Sequence, residues 1–188
     1  MLLNPHATID IALRLRPEGP GAPIGEVFSF LSGLYFRGKL AYATAFGRWP
    51  RGAASTFVIT TDRGLVSADT RIYREDLLSF ADVDLASGDE RYVAPLRRDA
   101  ERLASELDET TDVVLLGSIA TGKYADILIG AFGDRLRFPV EFVGRGDMSR
   151  GGLLLRHARE GRQLEYQSVR GAVRRGKRPP KLGPAPSF

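Results

Sequence analysis

The sequence predicts an α/β protein, a three-layer sandwich around a mostly parallel sheet. Two observations lead there. Strand-like runs and amphipathic helical spacings alternate through residues 56–142, the order that a layered α/β core produces. Within that stretch Val113-Val114-Leu115-Leu116 is an unbroken apolar run of strand length, as a central strand covered on both faces requires. A glycine-bearing turn leads from it into a helical pattern over 122–132. The 188 residues divide into one domain over 1–169 and a basic, proline-rich tail over 170–188.

The remaining elements follow in order. Residues 8–15 (Thr-Ile-Asp-Ile-Ala-Leu-Arg-Leu) alternate apolar and polar and predict a strand. Three prolines and two glycines make 16–23 a loop. Over 25–46, Val27, Phe30, Leu31, Leu34, Ala41 and Ala45 recur at helical spacing. Gly33 and Gly38 each weaken a helix by about 1 kcal/mol against alanine, so one long helix or two short ones meeting near Gly38 is expected. Thr56–Thr60 is a strand closed by the turn Thr61-Asp62-Arg63-Gly64. A short helix over 74–80, a turn at Ser87-Gly88-Asp89 and an amphipathic helix over 92–107 come next. Residues 136–142 read as a strand, with Pro139 favouring an edge or an early end. Residues 151–156 and 164–167 read as a closing hairpin around Glu160-Gly161, and the prolines from Pro179 onward predict disorder.

Composition narrows the chemistry. Without cysteine there is no disulfide scaffold, thiol catalysis or cysteine-held metal, and His6 and His157 alone do not suggest a histidine site. The expectation is a protein without metal or cofactor. No apolar run approaches the roughly 20 residues of a membrane span, and the first residues lack the features of a secretory leader, so a cytoplasmic protein is expected. The pI of 9.6 and net charge of +4 are mildly basic. The charge is uneven: Arg170, Arg174, Arg175, Lys177, Arg178 and Lys181 follow the last acidic residue, Glu165. Such a segment either attracts nucleic acid through its charge or serves as a solvated tail.

Four stretches are candidates for chemistry. Gly117-Ser118-Ile119-Ala120-Thr121-Gly122-Lys123 fills the first seven positions of a phosphate-cradling loop, where backbone amides, a helix N-terminus and Lys123 hold an anion. Tyr124 replaces the magnesium-binding hydroxyl and little chain follows, both against a nucleotide triphosphatase, so nucleotide hydrolysis through Lys123 stands third behind a packing turn and an anion turn. Thr60, Asp62, Arg63 and Asp69 follow a strand end, where either aspartate can orient water or Asp62 can simply cap a turn. Arg145, Asp147 and Arg150 lie in a glycine-rich stretch over 142–152 that reads as a loop suited to phosphate or as a linker. Tyr35, Tyr42 and Trp49 among Arg37, Lys39, Arg48 and Arg51 match the aromatic and basic mixture that stacks on bases, or a helix core with charged flanks.

Taken in order, Leu34–Ala43, Val58–Val66, Val114–Gly117 with Tyr124, Phe138-Pro139 and Gly144-Arg145-Gly146 resemble an uncharacterised bacterial domain family associated with the uracil-DNA-glycosylase-like fold, over roughly residues 34–152. The motifs of established uracil glycosylases are absent. The resemblance implies metal-independent attack on the N-glycosidic bond of a nucleoside, nucleotide or nucleic acid, in nucleic-acid modification or phage defence. In that reading Asp62 or Asp69 orients water, and Thr60, Arg63, Gly117, Ser118, Gly122, Lys123, Tyr124, Arg145, Asp147 and Arg150 hold substrate and phosphate. Arg174, Arg175, Lys177 and Arg178 add affinity for nucleic acid. The rival expectation is a nucleic-acid-binding module, or a subunit of a larger complex, without catalysis.

Overall fold

The structure, a computed structural model, describes residues 2–4, 6–49, 54–84, 88–120, 122–180 and 183, with the side chain of Lys123 outside that description. Helices dominate it and the strands are short. In chain order the elements are α1 (Asp10–Arg14), β1 (Ala22–Pro23), α2 (Ile24–Phe46), β2 (Phe57–Ile59), β3 (Leu65–Ser67), β4 (Arg71–Ile72) and α3 (Arg74–Ala81). They continue with α4 (Glu90–Glu106), β5 (Val113–Val114), α5 (Gly122–Phe132), β6 (Leu136–Pro139), α6 (Asp147–Glu160) and β7 (Tyr166–Ser168).

The three-layer sandwich around a mostly parallel sheet is not the fold. The described strands form two antiparallel pairs, β1 with β4 and β2 with β3, and one three-stranded sheet in the order β5-β6-β7. Within that sheet β5 runs parallel to β6 through Val113–Leu136 and Val114–Arg137, while β7 is antiparallel. The apolar run at 113–116 therefore marks an edge and not a centre. Val114 is 37% exposed, and Leu115 is the residue of the run that enters the core. The central strand is β6, whose Leu136 and Phe138 are fully buried and which ends at Pro139.

Four local expectations also change. Residues 8–15 carry the short helix α1, which buries Ile11, Ala12 and Leu15 and leaves Ile9 and Leu13 exposed; only Ile11 and Leu15 fall on one side under both alternation and helical spacing. The expected hairpin over 151–167 is not formed: Gly151–Arg156 lies inside α6, and β7 pairs with β6 instead. The same helix takes up the presumed loop from Asp147 onward. The break in α2 falls at Gly33, whose φ of 64° is left-handed, and not at Gly38. The turn expected at 87–89 begins at Ser87, which lies outside the described residues, as do Arg51 and Thr121 of the motifs above.

Gly38 has a different task. It faces Gly151 where α2 and α6 pack, the most extensive helix contact in the fold. A Cβ on Gly38 would lie 2.6 Å from the Gly151 carbonyl oxygen, and one on Gly151 2.7 Å from the Leu34 carbonyl oxygen. The two backbones touch because neither residue has a side chain. That contact holds Tyr35 and Lys39 of α2 beside Arg150 of α6.

Two apolar cores result. Ile11, Leu15, Ile24, Val27, Ile72 and Phe80 form the smaller one, around α1, α3 and the start of α2. Leu96, Leu115, Leu136, Phe138, Phe142 and Leu154 belong to the larger one. The second half of α2 runs between them. Among the described residues no helix is long and apolar enough to cross a membrane.

Gly130 is the opposite of Gly38: it lies inside α5, and a Cβ there would meet nothing within 4 Å. Gly130→Ala is expected to raise stability by about 0.5–1 kcal/mol through helix propensity alone, read as a later urea midpoint.

Candidate ligand cavity

Residues at i, i+4, i+7 and i+11 of a helix share a face, and on α2 those positions are Tyr35, Lys39, Tyr42 and Phe46. This face borders a cavity of about 590 Å³ between the two cores. Lys39, Tyr42 and Phe46 line one side, and Trp49, Phe57, Ile59, Thr60 and Thr61 line another. Val113–Gly117 and the α5 residues Tyr124, Leu128 and Phe132 complete the wall, with Tyr92 and Tyr166. The edge strand's apolar residues are thus used as cavity wall, which is why they are apolar without lying at the centre of a sheet.

Hydrogen bonds fix the aromatic wall. The Tyr35 hydroxyl donates to the Leu116 carbonyl at 3.1 Å, and the Tyr124 hydroxyl donates to the Ser118 carbonyl at 2.6 Å. The Tyr42 and Tyr166 hydroxyls bond each other, and Tyr42 also accepts from the Leu164 amide at 2.8 Å. Burial pushes the Tyr35 and Tyr92 phenols up to about 12, and the Tyr124 and Tyr166 phenols upward as well. All four stay neutral hydrogen-bonding groups near pH 7.

Lys39 is the exception on this wall. Its ammonium lies 4.1 Å from the Tyr35 ring centroid. Burial is the main cause that pushes its pKa down to about 8; Arg150 lowers it further and Asp147 opposes the change. Arg150 is only 9% exposed, and its guanidinium donates twice to the Phe142 carbonyl, at 3.2 and 3.1 Å. Its ion pair with Asp147, at 3.6 Å, reaches a mostly exposed carboxylate. Lys39 and Arg48 against Asp112, which Arg137 engages at 3.1 Å, leave the described lining with a positive balance.

The residues singled out in the sequence separate into groups. Thr60, Gly117 and Tyr124 meet at the cavity, and Ser118, Asp147 and Arg150 stand just behind Tyr124 and Lys39. Thr60 is itself tied into its turn, its hydroxyl donating to Gly64 and accepting from Arg63. Asp62 and Asp69 occupy opposite ends of β3, and neither is on the lining. Asp62 accepts from Ser79, Arg63 pairs with Asp76, and Asp69 is exposed in the turn before β4.

Gly122 opens α5, but Asp126 reaches back to that helix end: a Cβ on Gly122 would run into its Oδ2. Arg174 pairs with Asp126, so this carboxylate lies beside the opening of α5 in an ion pair with the tail. Arg145 is spent on the Glu141 carbonyl at 2.9 Å, Ser149 and Pro180. In the tail, Arg170 and Arg174 pair with Asp134 and Asp126, whereas Arg175, Lys177 and Arg178 are exposed.

Sequence reasoning missed Phe57, Leu128, Phe132 and Tyr166 on the wall, and also Asp99. Asp99 is buried in α4, accepts from the Leu65 amide at 3.1 Å and so pins the β2–β3 hairpin to that helix. No local pattern marks the four wall residues, since each is an ordinary core position until the cavity is assembled, and Asp99 reads in the sequence as one more charge on an amphipathic helix. Tyr124→Phe is expected to cost about 1 kcal/mol in stability, the worth of its bond to Ser118, measured by chemical denaturation.

No protein-family model matches the chain, and no curated protein or solved structure shows significant similarity to it.

Proposed function

We propose that the protein binds a nucleobase-bearing small molecule, a nucleoside or nucleotide, in the cavity beside Lys39. One observation carries this reading: a space of about 590 Å³, the size of a small-ligand site, is walled by aromatic rings and has a lysine on its lining. Rings such as Trp49, Phe57 and Tyr124 suit the face of a planar base, and Thr61, Gln163 and the Gly117 backbone offer polar partners for its edge. The positive lining favours a phosphate-bearing form. A cytoplasmic setting, where nucleotides are abundant, fits the reading.

The N-glycosidic chemistry that the family resemblance implies needs a group to orient water. Among the described lining residues the carboxylate is Asp112, held by Arg137. The proposal is therefore for binding, without a hydrolytic step.

Calorimetric titration with AMP, GMP, CMP and UMP tests it, with ribose 5-phosphate as the control. Saturable binding of at least one nucleotide and none of ribose 5-phosphate is expected. Leu128→Trp, which fills the cavity from α5, should abolish that binding in a protein whose circular dichroism is unchanged. Asp69→Asn should leave affinity unaltered. Failure of all four nucleotides to bind at millimolar concentration would overturn the proposal.

A further inference from the structure

We infer that Lys39 is a nucleophilic amine, and that the cavity admits an aldehyde which Lys39 captures as an imine. The inference rests on the reading of the cavity as a ligand site, and it names the chemical class that the site can hold covalently.

The geometry comes first. Lys39 lines the cavity, and its Nζ packs against the face of Tyr35. Arg48, Arg137 and Arg150, the cations on or beside the cavity, are each tied to a carboxylate or a carbonyl, whereas Lys39 makes no hydrogen bond or ion pair among the described residues. An amine held only by an aromatic face keeps its lone pair free to turn toward the cavity once the proton is gone. A lysine used only as a counter-charge would be expected to carry a carboxylate partner.

The charged groups around it act in the same direction. From α6, Arg150 is buried and cationic and disfavours a second positive charge nearby, while Asp147, its carboxylate mostly in solvent, opposes this only in part. The Tyr35 and Tyr124 hydroxyls donate to the Leu116 and Ser118 carbonyls, and neither is hydrogen-bonded to the Lys39 ammonium. Burial adds the largest contribution. Desolvation and a neighbouring cation are the two devices that make a lysine nucleophilic. With its pKa near 8, Lys39 has on the order of a hundred times more free amine at neutral pH than a lysine at its ordinary value of 10.5.

The step balances without a further reactant. The Nζ lone pair adds to the carbonyl carbon, both amine protons leave with the carbonyl oxygen as water, and a C=N bond joins ligand and lysine. Hydrolysis reverses it. The aromatic wall selects aldehydes with a flat apolar body, and benzaldehyde is a suitable reagent.

The full chain is treated with benzaldehyde and cyanoborohydride near pH 7, where hydride reduces the imine carbon and the nitrogen takes a proton from water. Peptide mass spectrometry then compares benzylation of Lys39 with that of Lys123, Lys177 and Lys181, the other lysines of the chain. Lys39 is expected to be modified at least tenfold faster, a ratio that follows from its larger free-amine fraction, and guanidine unfolding should erase the difference. Modification of Lys39 at or below the rate of Lys177 in the folded protein would overturn the inference. The two proposals fail separately. Nucleotide binding with slow labelling removes the imine alone, and fast labelling without nucleotide binding removes the nucleotide alone.

Discussion

Replacing Gly151 by valine is expected to destabilise the protein by about 3 kcal/mol, the upper range for overpacking a close-fitting interior. The reason is the backbone contact. A Cβ on Gly151 would lie 2.7 Å from both the Leu34 carbonyl oxygen and the Tyr35 Cα, and backbone atoms cannot yield as a side-chain tip can. The added bulk must drive α6 away from α2. Because Tyr35 and Lys39 sit on one helix and Arg150 on the other, the change also spreads the charged corner of the cavity. Gly38→Val should act from the opposite side with a loss of similar size, its Cβ meeting the Gly151 carbonyl at 2.6 Å. Urea unfolding measures both. The double variant should cost less than the sum of the two, since once the helices have parted the second side chain finds room. A loss of under about 0.5 kcal/mol, the usual size of a surface substitution, would show that the helices do not touch there.

Lys39→Met is expected to move stability the other way, and with a defined dependence on pH. The folded pKa of Lys39 lies near 8, below the 10.5 of an unfolded chain. Below pH 8 the amine is charged in both states, and the folded state carries the whole burden of burying that charge. Between 8 and 10.5 the folded protein releases the proton while the unfolded chain keeps it, so stability contributed by this group rises with pH. Above 10.5 the burden is gone. Methionine removes it at every pH. The variant should therefore be more stable than the parent by about 2 kcal/mol at neutral pH, after allowance for partial solvent access, and the gap should close toward pH 10.5. Parallel denaturation series at pH 7 and pH 10 give the difference directly. Comparing the two proteins at each pH cancels the titration of the tyrosines, which both contain.

Much of the secondary structure can be read from the chain because it depends on local spacing. The helix over 92–107 and the one over 122–132 declare themselves by their apolar faces, and β2 by its β-rich residues. The errors share a cause. An apolar run says that side chains avoid water, without saying what covers them. Val113–Leu116 satisfies that need as the wall of a cavity beside an edge strand, and a central sheet position would have produced the same letters. Gly151-Gly152 looks like a loop because glycine is rare in helices, but the demand for close helix contact outweighs propensity there. Alternation over 8–15 is too short to separate a strand from one turn and a half of helix.

The site was legible to a similar degree. Tyr42, Lys39 and Trp49, noticed as an aromatic and basic mixture, line the cavity with Thr60, Gly117 and Tyr124. The carboxylates chosen for catalysis do not, because sequence proximity to a strand end does not say which way a turn faces: Asp62 turns to Ser79 on α3. The glycine-lysine motif before α5 also reads differently in three dimensions. Asp126, one turn into the helix, puts a carboxylate beside Gly122 at the N-terminus, the sign of charge that the helix dipole favours there.

Trp49 is the chain's single tryptophan and lies on the cavity wall, so its fluorescence reports on that space alone. Titration with the nucleotide that binds most tightly should quench or shift this emission along a saturable curve, with the midpoint found by calorimetry. The curve should vanish in Leu128→Trp once the signal of the added indole is subtracted using a Trp49→Phe, Leu128→Trp control. Calorimetric binding with an unchanged Trp49 spectrum would contradict the account, because the ligand would then sit somewhere other than between the two cores.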